Sequence, residues 1–119
     1  MVELAAKSRK VLEEAINQIN NLRESIIHET NSPKLFEYGR KVSDFKKEFL
    51  DDFDFPAHSQ NVNLPDDKVE RLKYFTLQTL QIIHANLVQL DNSVGHSRDP
   101  NELIGFVKLV QKISRALHL

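Results

Sequence analysis

Five histidines, at positions 28, 58, 84, 96 and 118, are the side chains of this 119-residue chain best able to bind a metal or shuttle protons. Their spacing argues against both. A di-iron bundle needs Glu-x-x-His on two helices, and no such pair occurs. The zinc pattern His-Glu-x-x-His is also missing. Glu24 and His28 stand four apart, a spacing that makes a surface pair on a helix. His84 is flanked by Ile83 and followed by Ala85-Asn86-Leu87, which suits a histidine at a core boundary and lacks the Lys-Gly of a phosphotransfer site. No metal and no cofactor is expected.

Nucleophilic and phosphate chemistry fare no better. The chain has no cysteine, which removes thiolate ligands, disulfides and a cysteine nucleophile. Neither a glycine-rich phosphate loop nor a Gly-x-Ser-x-Gly elbow is present. Asp51, Asp52 and Asp54 bunch together, but adjacent exposed acids lack the separated environments that split an acid from a base. No catalytic residue is assigned, and the expectation is a chain that is not an enzyme.

The elements that carry these side chains are helical. With 3 glycines and 4 prolines, 40% hydrophobic and 28% charged residues, the chain has few sharp turns and ordinary globular composition. Ala5, Ser8, Leu12, Ala15, Ile19, Leu22 and Ile26 alternate spacings of three and four, one apolar seam along a helix over about 2–28. Ser32-Pro33 starts a second helix, 33–53, whose seam is Leu35, Tyr38, Val42, Phe45 and Phe49. A third, 65–92, carries Val69, Leu72, Thr76, Leu80, Ile83, Leu87 and Leu90, and is apolar over much of its circumference. Asp99-Pro100-Asn101-Glu102 reads as a capping box opening a fourth helix, 100–117, with Leu103, Phe106, Val110, Ile113 and Leu117 inward.

Four amphipathic helices predict an all-α fold, an antiparallel up-down-up-down four-helix bundle forming one domain over 1–119. The alternative is a three-helix core with the first helix projecting.

Such a chain is expected to act by binding. Six of the nine aromatics lie between Phe36 and Phe55, more than one seam holds. Phe36, Phe49, Phe53 and Phe55, with Asp51 and Asp52 at the rim, therefore form the first candidate surface, receptive to an amphipathic helix with basic flanks. The competing expectation is that Phe53 and Phe55 fold back as a plug over the core. Lys108, Lys112 and Arg115, at i, i+4 and i+7, form a secondary basic surface.

The partner expected is a protein. A small-ligand site near Thr76, Thr79 and His84 is the alternative, and an auxiliary nucleic-acid role is a third reading. A net charge of −1 gives no surplus of cations for phosphate backbones. With no apolar run long enough for a bilayer and no signal-peptide core, an intracellular protein is expected, with no membrane association.

Overall fold

Residues 2–55 and 66–119 are described by a computed structural model. Among them four helices form, α1 (Val2–His28), α2 (Ser32–Glu48), α3 (Lys68–His96) and α4 (Pro100–Leu117), with no strand. The fold is an all-α helical bundle, as the periodicity predicts. Position 65, where the third helix is expected to begin, and His58 lie outside the described residues.

Each boundary has a local cause. The chain leaves α1 through residues 29–31 and is capped by Asn31, whose Oδ1 accepts from the Lys34 N–H at 3.2 Å. The cap is thus one residue earlier than Ser32, and Pro33 falls within the first turn, where its missing N–H has no helical partner to lose. Asp67 accepts twice at the head of α3, through its side chain from Val69 N–H and through its carbonyl from Arg71 N–H, both at 2.9 Å. The cap predicted at Asp99 is present, its carboxylate accepting from Asn101 N–H at 3.0 Å.

Two helix ends differ from expectation. α2 stops at Glu48, not 53, with Phe49 as its C-cap. α3 continues past 92 to His96, because Val94 is buried at 2% exposure and its burial outweighs the turn tendency of Asn92 to Gly95.

Contacts divide the chain into two compact units, and α1 and α3 each contribute to both. The first, 1–20 with 84–119, buries Leu12, Ala15, Ile19, Leu87, Val94, Leu103, Val110 and Ile113. Here Gln18 Nε2 donates to the Leu117 carbonyl at 3.4 Å, a contact between α1 and the end of α4. The three-residue link 97–99 turns α4 against α3. The first helix does not project, since its seam is buried at Ser8, Leu12, Ala15, Ile19 and Ile26, with Leu22 half-buried.

On the open side of this unit, Arg9 Nε donates to Asp91 Oδ1 at 3.1 Å, which raises the guanidinium pKa further. A Cβ built on Gly95 would stand 3.1 Å from the same guanidinium.

The second unit, 21–83, buries Ile26, Leu35, Val42, Phe49, Phe53, Thr76, Leu80 and Ile83. Gly39 lets α2 and α3 approach closely: a Cβ there would stand 3.0 Å from Leu72 Cδ1. Gly105 in α4 has nothing within 4 Å of such a Cβ. Ala at Gly105 should therefore stabilise the protein by up to about 1 kcal/mol, the plain helix-propensity difference. The same change at Gly39 should lose that gain against Leu72. Leu80→Ala and Ile83→Ala, at 1% and 0% exposure, should each cost roughly 2–5 kcal/mol. Chemical denaturation of the four variants checks all of these values.

Candidate functional site: an apolar groove between α1 and α4

The aromatic surface predicted from sequence is mostly interior. Phe49 is fully buried and Phe53 is 6% exposed, while Phe55 is half-buried. Phe45 and Phe49 stack with centroids 4.5 Å apart, Phe49 and Phe53 at 5.0 Å, and Phe53 meets Phe55 at 6.3 Å. Past the helix end the chain keeps turning, with Phe53 N–H donating to the Phe49 carbonyl at 2.9 Å. That turn keeps positions 45, 49 and 53 on one side, so the seam does hold Phe53. Lys46 Nζ lies 5.5 Å from the Phe55 ring centre, a cation–π contact that ties the exit segment back to α2.

The expected exposed anchor at Phe53 is thus a core residue. The ring ladder that buries it also leaves Asp51, Asp52 and Asp54 outward with Leu50, itself 53% exposed. Phe36 is 56% exposed, on another part of α2.

The other predicted positions fall as follows. Lys108 and Arg115 are exposed and Lys112 is half-buried. His28 Nε2 sits 3.5 Å from Glu24 Oε2, the surface pair their spacing implies. His96 Nδ1 is 2.8 Å from the Asn92 carbonyl, and His118 takes the left-handed C-cap conformation after α4. Thr76 is buried beside Gly39, with Thr79 and His84 half-buried. Among the described residues, no three His, Asp or Glu side chains converge as metal ligands would. No helix there is long and apolar enough to cross a membrane.

The surface that sequence reasoning missed is a groove of about 440 Å³ in the first unit, open to solvent. One wall is α1, through Leu4, Lys7, Ser8 and Val11. The other is α4, through Val107, Val110, Gln111, Ser114 and Arg115. Short side chains explain it. Ser8 faces inward at 4% exposure, and valines and Ser114 oppose it, so the two helices lie side by side without filling the space between them. The signal in the sequence is that Leu4, Val11 and Val107 stand beside their seams instead of on them, with serine at the seam position between the first two.

Electrostatically the groove is one-sided. Among the described residues, Lys7 and Arg115 line it and no acid does. Among the described residues, neither cation has an ion-pair partner. Of the basic stripe predicted on α4, Arg115 belongs to the groove, and Lys108 lies about two turns further toward the N-terminus on the same exposed face.

Comparison with known proteins finds no matching family model, no matching curated protein and no matching solved structure.

The ring ladder generates a test. Phe53→Ala should destabilise by about 3–5 kcal/mol, as a buried aromatic does, and Phe36→Ala should stay within about 0.5 kcal/mol. Thermal and urea unfolding of the two variants would separate core from surface.

Proposed function

We propose that this protein is a non-catalytic protein-interaction module, a small helical subunit or scaffold within a larger assembly, which receives an apolar segment of its partner in the α1–α4 groove. The observation that carries this reading is the groove itself. It offers apolar side chains in a concave site along two helices, Leu4, Val11 and Val107 at least partly exposed beside buried Val110. Exposed Ile104, at 49%, extends the apolar surface of α4 one turn beyond Val107. Preformed apolar grooves flanked by charge are how helical proteins take up amphipathic segments.

The Phe49–Phe55 region supports a smaller role in this reading. With Phe49 and Phe53 buried, what remains there for a partner is Leu50 with its neighbouring acids, a steering surface more than an anchor. We read the module as intracellular, in keeping with a chain free of cysteine.

Site-specific photo-crosslinking in cells checks the proposal. A photoreactive residue at Leu4 or Gln111 should trap a protein partner, and one at Phe36 should trap it much less. Leu4→Glu should abolish the crosslink from position 111 while leaving the unfolding midpoint unchanged. Crosslinks arising from position 36 alone would move the interface to α2.

A further inference from the structure

We infer, resting on the groove as the interaction site, that its occupant is a short amphipathic helix of a protein partner whose apolar ridge is flanked by acidic side chains. Three observations converge on this chemistry.

The first is length. Leu4 to Val11 spans seven residues, about 10 Å of helix rise, and Val107 to Arg115 about 12 Å. A partner helix laid along such a trough meets it with residues i, i+3 or i+4, and i+7, which cover about the same 10 Å. The groove therefore matches two turns of helix.

The second is charge. Lys7 on one wall and Arg115 on the other are the charged groups lining the groove, and neither has a carboxylate partner among the described residues. Each can lay its aliphatic stem along the apolar floor and hold its charge at the rim. A partner with acids on both flanks of its ridge pairs with both walls at once. A partner with basic flanks, the type expected for the acid-rimmed aromatic surface, meets like charge on both.

The third is the helix beyond the groove. The exposed face of α4 carries Lys108 and Arg115 and no acid between them, with Gly105 open to close approach beside Ile104. The cationic wall thus continues past the trough itself.

The test uses the intact chain and a phage library of helical peptides with leucine fixed at i, i+4 and i+7 and the flanking positions randomised. Selection should enrich Asp and Glu at the flanks. The strongest peptide should shift the amide resonances of Leu4, Val11, Val107 and Gln111. Arg115→Glu and Lys7→Glu should each weaken it at least tenfold, and Glu→Lys exchange in the peptide should restore binding to the reversed protein. Arg115→Gln, which removes the charge without reversing it, should weaken binding less and leave the unfolding midpoint in place.

Peptides that seat in the groove with no acidic preference, or that ignore Arg115→Glu, would overturn this inference and leave the interaction-module reading standing. Binders that map away from the groove, or no binders at all, would overturn both. Concentration-dependent self-association abolished by Leu4→Glu would replace the partner helix with a second copy of this chain.

Discussion

Burial of the apolar seam on α1 is the constraint on which the remaining structure depends. From Ser8 through Leu12, Ala15, Ile19 and Ile26, these side chains are at most 4% exposed, and each compact unit takes its share of them. Covering that stripe requires other helices against α1 within each unit. α3 and α4 do this in the first, α2 and α3 in the second. At roughly 25 cal/mol per Å² of apolar surface removed from water, the stripe stabilises the fold far more than surface ion pairs such as Glu24–His28 and Glu37–Lys41. The helices are held by apolar contact, and polar groups decide mainly where each begins and ends.

The groove follows from the same seam. Serine at position 8 keeps the period of the stripe but contributes little volume, and the facing side of α4 offers valines and Ser114. Burial is satisfied on the core side of both helices while a trough remains on the outer side. A leucine at position 8 would fill the trough and enlarge the core. The chain carries a small polar residue there and sets two cations above it. That departure from maximal packing is where a binding function is most economically sought.

Much of the architecture is legible in the residues. The three-four spacing in α1 and the cap at Asp99-Pro100 each correspond to a feature of the structure, because each rests on local backbone physics. The end of α2 is not legible. Phe45, Phe49 and Phe53 keep helical spacing through a turn that is no longer helix, so periodicity alone extends the helix to 53. The same spacing, read as a ladder of stacked rings, would have put Phe53 in the core. The candidate site is less legible still. It depends on two helix flanks about a hundred residues apart in the chain, and on the absence of bulk at positions that a seam analysis counts as ordinary. Of the residues named in advance as binding candidates, only Arg115 lines it.

The division into two units has a spectroscopic consequence. The chain has no tryptophan, and its two tyrosines are Tyr38 and Tyr74, both half-buried and both within residues 21–83. All intrinsic tyrosine emission therefore originates in the unit that lacks the groove. The unit that holds it contains a single aromatic, Phe106, and is almost dark. Tyrosine fluorescence consequently reports on the packing of one half of the molecule. A single tryptophan in place of Phe106, or one carried by a bound peptide, would give the other half a signal of its own against an empty background.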